Sequence, residues 1–353
     1  MMIKVLSFTS KNQFPRFFYF FFLFFFLIQD QAYCTKNLLF SVDIVRHGDR
    51  NPVIEIPKSP YPWKGELGGL TDAGIQREKK LGSELRKEYV NQFNLLPPKF
   101  RSGVLYVRST DFSRTKNSAK ALLEGLYPLS ERTAKPDGTE IPIEIVKKNQ
   151  EELLLVEPSS SPLALIKMFF WKRNFWKEHT QDIQDDLQQW REATGLKLNT
   201  MDEVVHLADH LYIRQLNHIQ IPKGMSQTSA DKMVSLSELA MISFFEQKEV
   251  SGPSGTKLIS NLKTYFDQRI HGGSELRYVL YLAHDSTIMA TLRALGAKVR
   301  YPNYASRLNF RLLNGVEGYH MEVYQDGKRV DISLCKTGIC EYSEFFSNIS
   351  KVR

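Results

Sequence analysis

The sequence predicts an α/β protein with a mostly parallel central sheet flanked by helices and a smaller all-helical cap. Three observations carry that prediction. Short apolar, β-branched runs recur at Leu38–Val45, Gly103–Val107 and Arg277–Ala283, each bounded by a turn or a helix pattern. Each run stops abruptly in polar and charged residues: Arg46-His47-Gly48-Asp49-Arg50, Arg108-Ser109-Thr110-Asp111 and His284-Asp285. From about residue 158 to 224 the texture changes to aromatic and long polar residues at helical spacing, with no strand pattern.

The chain opens with Lys4, Lys11 and Arg16 ahead of Phe17–Ile28, twelve consecutive apolar or aromatic residues. As a helix these span roughly 18 Å, short of the ~30 Å hydrocarbon core, so residues 1–34 are expected to be a signal peptide removed after Cys34. Cys335 and Cys340 then remain, separated by Lys-Thr-Gly-Ile, and are expected to close a local disulfide. The α/β core is assigned to residues 35–157 and 229–353, with the helical cap at 158–228 between them.

Within that frame, Glu55–Gly69 is rich in Pro and Gly and reads as a loop. Thr71 or Asp72 caps a helix running to about Tyr89, and Ser113–Leu126 forms another. Residues 141–147 alternate as a half-exposed strand. Helical periodicity covers Gln181–Glu192, Met201–His218, Ser229–Gln247, Lys257–Arg269 and Ser286–Leu295, the last ended by Gly296. Residues 307–313 and 318–324 pair as a hairpin.

At 353 residues the chain holds one large domain or two smaller ones, and its net charge of +8 is not gathered into a Lys/Arg stripe. A nucleic-acid partner is therefore poorly supported, and anionic small molecules are favoured. No later apolar stretch is long enough to span a bilayer. His206 and His210 stand four apart on a helix, but no glutamate follows the first, so they read as a polar face and not a metal pair. Asn348-Ile349-Ser350 is a glycosylation sequon.

Three parallel strands side by side would bring their carboxyl ends to one crevice. That crevice would hold Arg46, His47, Arg50, Arg108, His284 and Asp285. Permanently charged guanidinium forks match the non-bridging oxygens of a phosphate group. A histidine with one nitrogen held can attack phosphorus through the other, and a carboxylic acid can protonate the leaving alcohol. Neighbouring arginines lower the Asp285 pKa and a bound dianion raises it, so the sequence does not sign the net shift. With arginines neutralising the phosphate, the scheme needs no metal and no cofactor.

The run R-H-G-D-R-N-P closely resembles the signature of the histidine acid phosphatases, the group containing the prostatic and lysosomal enzymes. The resemblance covers roughly residues 38–347 and includes G-x-L-T-x-x-G at Gly68–Gly74, V-R-S-T-D-x-x-R-T at Val107–Thr115, L-S-E-L at Leu236–Leu239 and A-H-D-S-T at Ala283–Thr287. It implies a phosphoglycerate mutase-like fold and acid hydrolysis of phosphate monoesters, with His47 phosphorylated, Arg46, Arg50, Arg108 and His284 binding phosphate, and Asp285 donating the proton. It also implies a secreted or lysosomal location and a homodimer. Ile213 and Arg307 stand where relatives carry disulfide cysteines, and the lysosomal transmembrane tail is missing. Two other readings stay open: the same fold narrowed to inositol, sugar or lipid phosphates, and a secreted binding protein with a vestigial site.

Overall fold

The computed structural model describes residues 37–132, 140–156, 166–167, 169–333, 335 and 340–349. The expected signal peptide, Cys34 included, lies outside them. Within the unit Leu38–Arg353 the sheet is laid down in the order β3-β2-β4-β1-β5-β6-β7, with β8 beside β6. Its strands are β1 (Asn37–Arg46), β2 (Leu105–Thr110), β3 (Glu144–Val146), β4 (Tyr278–Ala283), β5 (Arg307–Gly315), β6 (Gly318–Gln325), β7 (Lys328–Arg329) and β8 (Cys340–Glu341). The β3-β2-β4-β1 half is parallel, whereas β6 pairs antiparallel with β5, β7 and β8.

Alternation along the strands sets the layers. Phe40, Val42 and Ile44 of β1 and Val279 and Tyr281 of β4 pack against helices α7 (Lys248–Ile270) and α8 (Asp285–Ala294). Val45, Leu280 and Leu282 face the other way, onto α1 (Asp72–Arg86), the π-helical turn Lys87–Gln92 that prolongs it, and α2 (Ser113–Leu126). A third core joins α3 (Trp176–Thr180), α4 (Gln184–Thr194), α5 (Met201–Leu216) and α6 (Gln227–Phe245), with Trp171, Trp190, Leu211 and Phe244 fully buried. The packing of this helical layer runs past residue 228 into α6 and meets the sheet layer through Met289 and Ala290 of α8.

Local chemistry accounts for the element ends. Thr71 caps α1 by accepting from the Gly74 amide at 3.1 Å, one of the two caps read from the sequence. Cys335 and Cys340 form the expected disulfide, with Cα atoms 5.1 Å apart. The helix expected from Lys257 begins nine residues earlier, at Lys248, and carries Pro253 inside it. Pro253, the sixth residue of α7, removes one backbone hydrogen bond, and a Cβ at Gly255 would collide with α8. The strand expected over 141–147 is reduced to Glu144–Val146 on the sheet edge.

Two positions where a disulfide cysteine would align are filled differently. Ile213 is buried in the helical core. The Arg307 guanidinium lies 3.4 Å from Asp43 and 2.9 Å from Glu88. Asp43, fully buried on β1, also accepts from the hydroxyls of Tyr89 at 2.7 Å and Tyr278 at 2.9 Å.

Helices α1 and α2 touch backbone to backbone. A Cβ at Gly82 would collide with the Leu122 carbonyl oxygen, whereas one at Gly252 on α7 would meet nothing. Gly82→Ala should therefore destabilise the protein by about 1–3 kcal/mol, and Gly252→Ala should be neutral or slightly stabilising. Urea midpoints at unchanged m-value test the pair; equal midpoints for the two variants would contradict the close crossing.

Candidate active site

The parallel register decides what meets. Arg46 pairs with Ala283, and Ser109 with Leu282, so β1, β4 and β2 end at one level. Just past those ends come His47, His284 and the short turn from Asp111 into α2, which carries Arg114. Gly48 lets the chain turn under the N-terminus of α1: a Cβ there would sit 2.6 Å from the Gly74 carbonyl oxygen. The Gly48 amide donates to Ser118 Oγ on α2 at 3.0 Å, which ties the turn to the helix behind it.

His47 is buried, and its Nδ1–H donates to the Gly48 carbonyl oxygen at 2.9 Å. That bond leaves Nε2 as the unprotonated nitrogen. Burial, then the charges of Arg114, Arg46 and Arg50, hold the ring well below the ordinary imidazole value, so it is neutral. The His284 ring lies 5.7 Å away, centroid to centroid. Its Nε2 bonds Thr110 Oγ1 at 3.0 Å and its Nδ1 faces an Arg114 nitrogen at 3.5 Å. Burial, followed by Arg114, pushes the His284 pKa down to about 3.

Three guanidinium groups surround these rings. Arg46 donates to the Pro302 carbonyl at 2.5 Å, pairs with Asp285 at 2.8 Å and lies 4.4 Å over the Tyr304 ring. Arg50 forms a two-pronged bond to Asp209 of α5 at 2.8 and 3.0 Å. Arg114, in the first turn of α2, lies 4.5 Å over the Phe112 ring, and burial plus the nearby Arg50 lowers its pKa to about 10. Each of the three keeps a buried Nε–H with no protein acceptor. Converging cations with unused donors make an anion site, and a neutral imidazole lies within it.

Asp285 opens α8 and accepts from the Ser286 amide at 2.8 Å and the Tyr301 hydroxyl at 3.1 Å. Burial alone would raise its pKa, but Arg46, His284 and the Ser286 amide outweigh it and hold the carboxyl at about 2. The shift left unsigned by the sequence is downward in the unliganded site.

The structure brings Arg46, His47, Arg50, His284 and Asp285 together and leaves Arg108 out. Strand β2 continues to Thr110, so Arg108 sits inside it opposite Tyr281, not past its end. Its guanidinium is gripped by Glu151, at 2.7 and 3.1 Å. The third arginine of the cluster is Arg114. The signal for it was present in the second arginine of V-R-S-T-D-x-x-R-T, one turn into the following helix. His210 is a core residue bonded to the Ile54 carbonyl at 2.9 Å, while His206 is exposed on the same helix. Among the described residues no His, Cys, Asp or Glu group is arranged to hold a metal ion. Asn348 lies on the C-terminal helix α9 (Tyr342–Ile349), and Ser350 of its sequon lies outside the described residues.

Residues 37–324 match the histidine phosphatase superfamily (branch 2). The chain belongs to that family. Among relatives, it is 29% identical to the testicular acid phosphatase of Mus musculus, over 84% of this chain and 72% of that one. It is 26% identical to the prostatic acid phosphatase of Homo sapiens, over 84% and 79%. It is 27% identical to the lysosomal acid phosphatase of Bos taurus, over 82% and 70%. Among solved structures, the phytase from Citrobacter braakii superposes with a TM-score of 0.66 at 14% identity, over 90% of this chain and 98% of that one. The multiple inositol polyphosphate phosphatase of Bifidobacterium longum does so at 0.60 and 11%, over 93% and 90%. At such identities the structures establish the shared histidine phosphatase fold.

The two arginines should separate on substitution. Arg108→Ala strands the fully buried Glu151 carboxylate and should cost about 3–5 kcal/mol of stability, with kcat/KM of the folded enzyme within a few-fold of wild type. Arg114→Ala should lower kcat/KM by at least about 10²-fold, the scale of losing one oxyanion donor, at a smaller stability cost. Thermal unfolding and aryl phosphate turnover on both variants test this, and the reverse pattern would restore Arg108 to the site.

Proposed function

We propose that the protein is an acid phosphomonoesterase that works through a phosphohistidine at His47. The observation that carries this reading is the neutral His47 ring, its Nδ1–H committed to the Gly48 carbonyl and its Nε2 free among three arginines. The apolar leader, the Cys335–Cys340 disulfide and the names of the relatives support a secreted or lysosomal location.

The phosphate group of the ester enters between Arg46, Arg50 and Arg114, whose spare donors take its non-bridging oxygens. Nε2 of His47 attacks in line, a P–N bond forms and the P–O bond to the alcohol breaks. Asp285, protonated by then, gives its proton to the departing oxygen. Water next attacks the phosphohistidine, its proton passes to the Asp285 carboxylate, and inorganic phosphate leaves a neutral His47. His284, held through Nε2 by Thr110, faces Arg114 with Nδ1 and steadies that guanidinium. Splitting one slow displacement into two easier ones is the gain from the covalent step.

Quenching turnover of a labelled substrate in acid should trap label on His47. His47→Ala should carry none and lose at least about 10³-fold in kcat. A His47→Ala protein of undiminished activity would end this reading.

The pH profile carries a second expectation. Depressed pKa values leave Asp285 ionised above about 2 and His284 neutral above about 3, and His47 is likewise neutral above its lowered value. None of these three changes charge between the acid range and neutrality in the free enzyme. The proton for the leaving group must then arrive with the substrate monoanion, whose second pKa is about 6. Above that value kcat/KM should fall about tenfold per pH unit, and the descending limb should move with the substrate's own second pKa. A limb fixed at one pH across substrates would point to an enzyme group instead.

A further inference from the structure

We infer that the leaving-group side of the site takes a small, apolar alcohol bearing a single phosphate, and that Glu238 is the side chain that turns away a second phosphate. The inference rests on the phosphatase reading above and narrows its substrate class.

A cleft of about 190 Å³ adjoins the arginine cluster, entered past Arg50, Asp285 and Tyr301. Asp285 is the proposed proton donor, so the side of the site it shares with this cleft is where the departing alcohol lies. The cleft is smaller than the ~300–1,000 Å³ typical of small-molecule pockets, which suits a compact leaving group. Its walls come from α5 and α6 and from the loop after β1, with Val53, Val205, Ala208, Val234 and Met241 giving an apolar surface and Tyr212 an aromatic one.

The charge on those walls decides the rest. Among the described residues Arg50 is the single Lys or Arg lining the cleft, and it belongs to the first phosphate and is already clamped by Asp209. Glu238 projects from α6 at the exposed rim, and among the described residues it makes no ion pair or hydrogen bond. Among the described residues a second phosphate in this cleft would thus find no further Lys or Arg to neutralise it and a carboxylate facing it. In the groove beyond Tyr304, which Asp285 does not line, Arg77 is paired with Asp49, Arg307 and Arg311 with Glu88, and Lys80 lies 3.9 Å from Glu84, while Lys87 makes no ion pair among the described residues. His206 shares the cleft wall. The comparison is made at a single fixed pH.

The test measures kcat/KM for phenyl phosphate and for myo-inositol hexakisphosphate on the full protein and on Glu238→Lys, with Met241→Lys as a second variant adding a cation on the same wall. Wild type should prefer the aryl monophosphate by at least about a hundredfold. Each Lys variant should narrow that ratio by about five- to tenfold, mainly through KM for the inositol ester, with the gain shrinking as salt screens it. Comparable wild-type turnover of both esters overturns the inference while leaving the phosphatase reading intact. A ratio unmoved by Glu238→Lys in an enzyme still active on phenyl phosphate removes Glu238 as the selector. Turnover of neither ester overturns the phosphatase reading, and this inference with it.

Discussion

The site exists because three parallel strands stop at the same height. The pairing of Arg46 with Ala283 and of Ser109 with Leu282 fixes His47, His284 and the turn after Thr110 as neighbours, although they are far apart in sequence. Slipping β1 by one residue would send its apolar set to the opposite face and carry His47 away from His284. The close approach of Gly48 to Gly74 then holds the His47 turn against the α1 N-terminus. Catalytic geometry and core packing are thus one constraint seen from two ends of the same strands.

Much of this was legible in the chain. The three apolar runs ending in charge pointed to a parallel sheet and to five of the six crevice residues that the structure brings together. Arg108 was misplaced for a local reason: Ser109 and Thr110 are polar and look like the start of a turn, yet both are fully buried strand residues. A strand that ends three residues later, at Thr110, takes Arg108 inside it, where Glu151 neutralises it. Arg114 reaches the site from a helix, and strand-end reasoning does not look there. The early start of α7 was hidden by Gly252, Pro253 and Gly255, residues whose local preferences are overridden by packing on α8.

Charge is distributed to opposite ends for opposite purposes. Near the middle of β1, Asp43 and Glu88 are matched by Arg307 and Arg311 in one ion-pair network. Such pairing is weak evidence of added stability, but an unpaired member would be costly. At the strand ends each arginine instead keeps one buried Nε–H without an acceptor, and burial, reinforced by those arginines, keeps the imidazoles beside them neutral.

Asp285 is the carboxylate that touches Arg46, and this contact links binding to proton transfer in the proposed mechanism. Two opposing influences act on it: burial, the larger single one, raises its pKa, and Arg46 leads those that lower it. A phosphate group seated on Arg46 draws that guanidinium's charge to itself and adds negative charge nearby. Both effects weaken the hold on the carboxylate and let burial dominate. Asp285 therefore gains proton affinity at the moment an ester occupies the site, and loses it again when phosphate departs. An acid that is ionised in the empty enzyme becomes a donor only with substrate bound, which suits a pocket that must bind an anion first and protonate an alcohol second.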